Sequence, residues 1–202
     1  ASRAGRTGML ILAVMVAAFN ARDAASALAE KTTQTPAATI ELPDLNNDAI
    51  TPLKASSAKA IVIFFVSTDC PVSNRYAPEV RRLHEKFSPQ GVKFWLVYPD
   101  KTESVETIRR HLTEYRYPCE ALRDPKHRLV KAAQARVTPE AAVFLAGPRL
   151  VYHGRIDNWY VDFGKARPAP TQHDLEDVLQ AVVSGKPVAY TTAPAVGCYI
   201  SE

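Results

Sequence analysis

One stretch of the sequence constrains the fold more than any other: six consecutive apolar residues, 61–66, are followed closely by Cys70 and Pro71. The apolar run is short and rich in β-branched and aromatic residues, which predicts a fully buried strand. Proline is favoured at the first position of a helix, and apolar residues then recur at helical spacing between Val72 and Phe87. The stretch therefore predicts a buried strand that leads through Cys70 into an amphipathic helix.

Cys70 is the residue in this stretch that is best placed for chemistry. The unpaired amides and the macrodipole at a helix N-terminus favour an anion, so they stabilise a thiolate there. Ser73, one turn later, can donate a hydrogen bond to that thiolate, and Arg75 can lower the pKa of Cys70 by proximity. The alternatives are a cysteine that only packs in the core and an Arg75 that is a solvated helix charge. The Cys-Pro pair at the strand-to-helix junction favours the reactive cysteine.

This stretch resembles the active site of the thioredoxin-like superfamily. It is most similar to the redoxins of the alkyl hydroperoxide reductase/thiol-specific antioxidant class and to the exported thiol-disulfide oxidoreductases. Their pattern is an apolar strand, Cys-Pro-x-Cys, and a proline eight residues after the first cysteine; this sequence has Cys70-Pro71-Val72-Ser73 and Pro78. Ser73 replaces the second cysteine, which the ordinary dithiol mechanism requires. The resemblance covers about residues 40–190 and implies an α/β fold with a mixed central sheet flanked by helices.

The resemblance also implies a role for Pro139, which precedes the apolar residues 141–146. It matches the proline that is cis in thioredoxin-like folds and that faces the active-site cysteine. A cis Thr138-Pro139 bond is an uncommon state, and it would leave the preceding backbone open to pair with the extended chain of a substrate. The alternative is a trans proline at the start of an edge strand. The expected substrate-binding residues are Pro71, Arg75, Arg136 and Trp159.

The chain holds three cysteines: Cys70, Cys119 and Cys198. In an oxidising compartment one pair and one free thiol can form in three pairings, and the sequence does not choose among them. Cys198 lies in a tail that we expect outside the core fold. It is a candidate to resolve Cys70, because thiolate attack on a disulfide needs only access and a suitable pKa. A Cys119–Cys198 bridge and an intermolecular bridge are the alternatives, and for Cys119 we favour a buried or spectator role.

Residues 1–29 have the pattern of an export signal. Arg3 and Arg6 precede an apolar run at 9–19, and Ala27-Leu28-Ala29 fits a small-x-small cleavage site. The apolar run is short for a bilayer span, although an uncleaved membrane anchor is the alternative. Export predicts an oxidising compartment, such as a bacterial periplasm, with association to the inner membrane if the leader is retained.

The rest of the chain is predicted to form a linker at 30–39, one redoxin domain at 40–190 and a tail at 191–202 that carries Cys198. The domain is expected to begin with a hairpin near residues 40–53, around a turn signal. The 47% of hydrophobic residues can fill the core of a soluble domain. The net charge of +4 without a basic run argues against nucleic-acid binding.

Three further local predictions follow from turn and capping residues. Asp100 with Glu103 predicts a capping box at the start of a helix, and Thr171 is expected to cap the last helix. Residues 157–170 read as a loop without periodicity, which in a compact domain is usually functional or mobile. Its aromatic residues are typical of a surface for a protein partner, with packing over the last helix as the alternative.

The function that fits these features is a periplasmic thiol-disulfide oxidoreductase. Cys70 would be the attacking thiolate, Ser73 would tune it, and Thr138 and Pro139 would shape the groove. The chemistry is redox exchange with protein or small-molecule thiols and disulfides, and it needs no bound cofactor. A non-catalytic module of an exported redox complex is one alternative.

A second alternative is an atypical peroxiredoxin that reduces hydroperoxides. The peroxiredoxin pattern Pro-x-x-x-Thr/Ser-x-x-Cys is half present, because Ser67 fits while Ile63 stands in place of the proline. Arg136 is a candidate for the arginine that binds peroxide. Copper chaperones of this fold use two cysteines near the strand and a distant histidine, whereas this sequence has only one cysteine in that region. Its histidines also show no metal-ligand spacing. We therefore predict no metal site.

Overall fold

The computed structural model describes residues 39–54 and 57–201, so the predicted leader and nearly all of the predicted linker lie outside the described residues. The helices are α1 (Pro71–Phe87), α2 (Val105–Glu114), α3 (Arg128–Ala133) and α4 (Asp174–Val183). In chain order, the strands are β1 (Leu42–Pro43), β2 (Ala49–Ile50), β3 (Ala60–Phe65), β4 (Val92–Tyr98), β5 (Glu120–Arg123), β6 (Val137–Thr138), β7 (Glu140–Leu145), β8 (Arg149–Gly154), β9 (Tyr160–Asp162), β10 (Lys165–Ala166), β11 (Thr191–Ala193) and β12 (Cys198–Tyr199).

Within the described residues, six strands form the central sheet in the order β11-β8-β7-β3-β4-β5. β3 runs parallel to β4 and antiparallel to β7, so the sheet is mixed. Every residue of β3 is buried, because its side chains enter two apolar layers on opposite faces of the sheet. One layer packs against α1 and α4, and the other against α3. This confirms the predicted α/β fold with a mixed central sheet flanked by helices.

The start of the domain and its first helix also form as predicted. β1 and β2 pair antiparallel in a short hairpin. α1 begins at Pro71 with Cys70 as its N-cap, and Pro78 lies inside it. Its buried face includes Val80 and Leu83, which anchor the helix on the sheet. Cys70 is thereby held at the end of β3 that carries the chain into the helix.

The expectation that the tail lies outside the core fold is wrong. β11 pairs in parallel with β8 at the edge of the central sheet, and β12 pairs antiparallel with β6. Gly154 makes the first contact possible: it has φ 142°, and a Cβ there would lie 2.0 Å from the Ala193 carbonyl oxygen. The tail is therefore an integrated part of the domain.

The predicted capping box at Asp100 and Glu103 is wrong. α2 begins later, with Ser104 as its N-cap, and the Ser104 hydroxyl accepts a hydrogen bond from the Thr107 amide at 3.1 Å. Asp100 instead accepts from the amide and hydroxyl of Thr102, both at 2.7 Å, in a turn before the helix. Glu103 is consequently free to turn inward, where it is buried.

The segment after β8 also differs from prediction. Residues 157–170 contain the antiparallel pair β9–β10 rather than an irregular loop. α4 begins at Asp174 with His173 as N-cap, so Thr171 is not its cap; the Thr171 amide donates to the side chain of Asn158 at 2.7 Å. Among the described residues, no helix combines the length and apolar character that a membrane span requires.

Candidate active site

Cys70 is held between the first turn of α1 and the strand β6. The Ser73 amide donates a hydrogen bond to the Cys70 Sγ at 3.5 Å, as expected of an N-cap side chain. The Cys70 thiol donates to the Thr138 carbonyl oxygen at 2.9 Å. Pro71 occupies the first helical position, where its missing N–H costs no hydrogen bond. Cys70 is only 1% exposed, so the chain around it controls access to its sulfur.

The Thr138-Pro139 peptide bond is cis, which confirms the prediction made for this proline. Both residues are buried, and the Thr138 carbonyl faces Cys70. Glu140 holds the strand in place, because its Oε2 accepts from the amides of Arg136 at 2.8 Å and Val137 at 3.2 Å. No sequence pattern predicts this role of Glu140, because it depends on the chain turning so that the Arg136 and Val137 amides meet the Glu140 carboxylate.

The tail brings Cys198 to Cys70. In the β6–β12 pair, Cys198 lies opposite Thr138, and the Ile200 amide donates to the Arg136 carbonyl oxygen at 3.0 Å. Cys70 and Cys198 are free thiols in this arrangement, and each thiol shifts the pKa of the other. The structure thus places five of the residues selected from the sequence at one point: Cys70, Ser73, Thr138, Pro139 and Cys198.

The two thiols of this pair have opposite acidities. Burial raises the pKa of Cys70, but the nearby Cys198 thiol, the hydrogen bond from the Ser73 amide and the Thr138 side chain outweigh it, so the pKa lies below the ordinary value. Burial, the hydrogen bond to Cys70 and the charge of Cys70 raise the pKa of Cys198 to about 12. Of the two thiols, Cys70 is therefore the one that ionises at the lower pH.

Ser73 acts on Cys70 chiefly through its backbone. Its amide donates to the sulfur, and its hydroxyl also lowers the pKa of Cys70 by proximity. Within the described part of the chain, that buried hydroxyl has no partner at standard hydrogen-bond geometry, so we attribute the larger effect to the amide. Cys119 is separate from this site: it is buried, and burial raises its pKa to about 12.

The lowered pKa of Cys70 predicts how ionisation depends on pH. We expect a thiolate signal that titrates below the ordinary pKa of a cysteine thiol. Because the folded pKa lies below the unfolded one, ionisation of Cys70 stabilises the fold above the unfolded pKa, and this stabilisation is lost as pH falls through the folded pKa. The measurement is the thiolate ultraviolet absorbance of the natural protein minus that of a variant with both Cys70→Ala and Cys198→Ser, because Cys198, with a pKa of about 12, does not contribute at lower pH. Cys119→Ala should leave the signal unchanged, and a signal confined to high pH would contradict the prediction.

Glu103 stabilises the segment before Cys70 by accepting hydrogen bonds from it, a role that the sequence analysis did not predict. Its Oε1 accepts from the Thr68 amide at 2.6 Å and from the Ser67 hydroxyl at 3.2 Å. The Oε2 atom is buried and has no hydrogen-bond partner within residues 39–54 and 57–201, and burial raises the pKa of this carboxyl. Asn74 holds the same segment from the helix, because its Nδ2 donates to the Thr68 carbonyl at 3.1 Å.

Three of the expected substrate-binding side chains do not meet at the thiol pair. Arg75 is exposed on α1. Trp159 packs edge-on against Tyr76 with ring centroids 5.7 Å apart, which ties the segment after β8 to α1. The Arg136 backbone pairs with the tail, while its exposed side chain lines a cleft of about 860 Å³ with Lys101 and other residues. Among the aromatic residues of segment 157–170, which are Trp159, Tyr160 and Phe163, only Phe163 is exposed.

A separate group of potential metal ligands lies between α1 and the start of α4. Ligand atoms of Glu79, His173 and Glu176 are within 4.8 Å of one another. Both carboxylates form ion pairs with Arg82, and Glu176 also pairs with Lys86 at 2.7 Å. The cationic side chains neutralise the carboxylates, so the group is better described as an ion-pair network that joins the two helices.

The fold and the site together define the class of this protein. A buried strand that ends in a thiolate-favouring cysteine, opposite a cis-proline that precedes the next strand, characterises a thioredoxin-like α/β protein. The AhpC/TSA family matches residues 33–153, which is more than half of the chain. The chain therefore belongs to the AhpC/TSA family, as its Cys-Pro stretch suggested.

Comparison with solved structures gives the same fold. A conserved uncharacterised protein from Geobacillus kaustophilus is 24% identical, with a TM-score of 0.72 over 84% of this chain and 91% of that one. A hypothetical protein from Sinorhizobium meliloti 1021 is 27% identical, with a TM-score of 0.69 over 83% and 92%. A secreted Mycobacterium tuberculosis disulfide oxidoreductase is 15% identical, with a TM-score of 0.50 over 74% and 97%. The comparison with curated proteins finds no match.

Proposed function

We propose that this protein is a thiol-disulfide oxidoreductase in which Cys70 attacks and Cys198 resolves. The observation that carries the proposal is the β6–β12 pair, which sets Cys198 opposite Thr138, the residue whose carbonyl oxygen lies 2.9 Å from the Cys70 sulfur. This pairing supplies the second sulfur that Ser73 cannot provide. The low pKa of Cys70 supports its role as the attacking group, because the thiolate is the nucleophile in disulfide exchange.

The proposed reaction has two exchange steps. The Cys70 thiolate attacks one sulfur of a substrate disulfide, which forms a mixed disulfide and releases the other substrate sulfur as a thiolate. The Cys198 thiolate then attacks the Cys70 sulfur, which forms the Cys70–Cys198 disulfide and releases the second substrate thiolate. The substrate gains two electrons and the protein dithiol loses them. An external thiol or dithiol returns the protein to its reduced form by the reverse exchange.

The different pKa values of the two thiols explain why Cys70 reacts first and Cys198 second. The charge of Cys70 is one of the causes that keep the pKa of Cys198 at about 12, so Cys198 stays protonated while Cys70 is a thiolate. Once the mixed disulfide forms, Cys70 is neutral, and both its charge and its hydrogen bond to Cys198 are lost. The pKa of Cys198 then falls, although burial, the largest cause of its high value, still raises it, and the Cys198 thiolate forms more readily than in the reduced pair.

The other site residues contribute through position. Thr138 and Pro139 form one wall of the groove, and the Thr138 carbonyl oxygen lies 2.9 Å from the Cys70 sulfur. Ser73 tunes the thiolate through its amide, and Pro71 starts the helix. In this reaction the electrons pass between sulfur atoms, so no bound cofactor takes part. Protein or small-molecule thiols and disulfides are the partners.

We place the reaction in an exported, oxidising compartment such as the bacterial periplasm. The support is the leader-like pattern in residues 1–29, with Arg3 and Arg6 before an apolar run. An enzyme that exchanges disulfides has oxidised partners in such a compartment. Whether the leader is cleaved or anchors the protein at the inner membrane is tested by the mass of the protein recovered from cells that export it.

Hydroperoxide reduction is the second candidate, and membership of the AhpC/TSA family favours it. A hydroperoxide would oxidise Cys70 to a sulfenic acid and leave as an alcohol or water, and Cys198 would then form the disulfide and release water. Two observations weigh against it. The Ser67 hydroxyl donates to Glu103, and the Arg136 side chain is exposed. A non-catalytic module would instead show no exchange with disulfides or peroxide.

The decisive experiment counts the thiols released when the reduced protein meets one equivalent of 2-hydroxyethyl disulfide. We expect the natural protein to release both mercaptoethanol molecules and to yield a Cys70–Cys198 linked peptide. Cys198→Ser should release only one and keep the other on Cys70 as a mixed disulfide, because serine cannot complete the second exchange. Mass spectrometry after acid quenching and alkylation reads both products.

The matched control is Cys119→Ala, which should behave as the natural protein because Cys119 is buried apart from the thiol pair. Release of both thiols by Cys198→Ser would contradict the role assigned to Cys198. Repeating the reaction with hydrogen peroxide separates the candidates, since a peroxidase forms the same disulfide faster with peroxide than with the disulfide reagent.

A further inference from the structure

The tail strand occupies the position in which an extended polypeptide would bind beside Cys70. Addition of a strand to an exposed strand edge is a common way to bind an extended peptide, because the backbone supplies the hydrogen bonds. Here the edge of β6 is taken by β12, and within the described residues β6 pairs with no other strand. Cys198 lies in that strand at the position of the sulfur that would react with Cys70.

Contacts on both sides of Cys198 fix this register. The Thr138 hydroxyl donates to the Cys198 carbonyl oxygen at 3.5 Å, and the Ile200 amide donates to the Arg136 carbonyl at 3.0 Å. Tyr199 projects away, with 87% of its surface exposed. The tail is therefore held by its backbone and by the side chains of Val196, Cys198 and Ile200, which pack against the apolar layers of the sheet. The side chain of Tyr199 adds little to the contact.

Gly197, the residue before Cys198, fits this groove only because it lacks a side chain. A Cβ at this position would lie 2.1 Å from the Thr138 carbonyl oxygen and 2.7 Å from the Thr138 carbonyl carbon. Gly197 is not among the glycines with positive φ, so the requirement is steric rather than conformational. The obstructing atoms belong to the backbone next to the cis bond, which cannot move aside as a flexible side chain can.

We propose that the tail is an internal substrate strand, and that the groove along β6 selects extended polypeptides with glycine immediately before the reacting cysteine. In the resting protein residues 197–200 fill the groove, so an outside polypeptide competes with the tail for the same backbone atoms. The apparent affinity of the outside polypeptide is its intrinsic affinity multiplied by the fraction of molecules in which the tail is displaced. The inference rests on the proposed function, because the bound cysteine must be one that Cys70 attacks.

The test frees the groove without altering the thiols. Gly197→Val forces the tail off β6 through contact with Thr138, while Cys70 and Cys198 stay in the chain. Ile200→Pro is a second opening variant, since it removes the amide that donates to Arg136. Tyr199→Ala is the matched control, because it changes an exposed side chain and keeps the backbone pairing.

Three probes are used, each with its cysteine linked to thionitrobenzoate as a mixed disulfide. They are the peptide Ala-Val-Gly-Cys-Tyr-Ile, the same peptide with valine in place of glycine, and N-acetylcysteine. The Cys70 thiolate attacks the cysteine sulfur, and the thionitrobenzoate anion that leaves is measured by its absorbance in a single turnover. In both opening variants we expect the glycine peptide to react at least about tenfold faster than the valine peptide.

The natural protein and Tyr199→Ala should react with the glycine peptide at least about tenfold more slowly than the opening variants do, because the tail still holds the groove. Equal rates for the two peptides in the opening variants, with N-acetylcysteine still reacting, would overturn the inference alone. An equal rate with the glycine peptide in the natural protein and in the opening variants would also overturn it, because the tail would not then be competing. Absence of reaction with all three probes would overturn the proposed function, and the inference with it.

Discussion

We expect Cys70→Ser to lose disulfide exchange almost completely, with the second-order rate lowered by at least about 10³-fold. The reason is chemical: a serine hydroxyl is not ionised at neutral pH and cannot form a disulfide. The measurement is thiol release from 2-hydroxyethyl disulfide under the conditions used for the natural protein. This is the largest effect on activity that we predict for a single substitution in the chain.

The substitution is informative because the fold should tolerate it. Cys70 is the N-cap of α1, and serine is among the preferred N-cap residues. Its hydroxyl can accept from the Ser73 amide and donate to the Thr138 carbonyl, as the thiol does. We therefore expect an unchanged circular dichroism spectrum, so that the loss of activity reports the sulfur itself. Cys119→Ala is the control and should keep the natural rate within about twofold, as expected of a residue outside the reaction.

Retained exchange in Cys70→Ser would assign the attacking thiolate to another cysteine. Cys198 is the candidate in that case, because removal of the Cys70 thiolate also removes the charge that raises the pKa of Cys198. A double substitution of Cys70 and Cys198 would then abolish the residual rate. The single and double variants together separate a reaction that starts at Cys70 from one that can start at either sulfur.

Local sequence was sufficient to place Cys70. The apolar run that precedes it, Pro71 at the first helical position and the spacing of α1 all act over a few residues, so each could be read directly. The cis state of Thr138-Pro139 was different: no local signal separates cis from trans, and the prediction came from the order of elements in the resembling family. The structure confirms both.

The position of Cys198 could not be predicted from local sequence. β12 and β6 are each two residues long, and Cys198 meets Thr138 across a long separation in the chain. Strands this short show no hydrophobic periodicity, and their pairing depends on which strand edges the rest of the fold leaves unpaired. The steric need for Gly197 becomes visible only when the Thr138 carbonyl is placed against it.

Glu103 illustrates a second limit of sequence reasoning. Asp100 and Ser104 are both good N-cap residues, and the pattern of Asp100 with Glu103 satisfied the capping-box rule. The structure uses Ser104, because Glu103 is needed beneath the segment before Cys70 to accept from Thr68 and Ser67. Tertiary contacts decided between two local signals of similar strength.

We expect Asp124→Ala to cause the largest loss of stability, lowering the free energy of unfolding by about 3 kcal/mol. Asp124 is fully buried, and its carboxylate accepts from three backbone amides at the start of α3. The distances are 2.8 Å for Arg128, 2.8 Å for Leu129 and 2.9 Å for Val130. Alanine leaves these amides without their partner in a buried position, which costs more than the loss of an exposed hydrogen bond. Urea denaturation followed by circular dichroism measures the change.

Asp100→Ala is the matched control, because that carboxylate also accepts from a backbone amide but lies near the surface. Water replaces its hydrogen bonds, so we expect a loss of less than about 1 kcal/mol. The two variants should also differ in activity. Thr138 follows α3 by only a few residues, so a displaced α3 shifts the strand that faces Cys70. Asp124→Ala should therefore slow disulfide exchange where Asp100→Ala does not. Equal stability losses in the two variants would contradict the role given to the buried carboxylate.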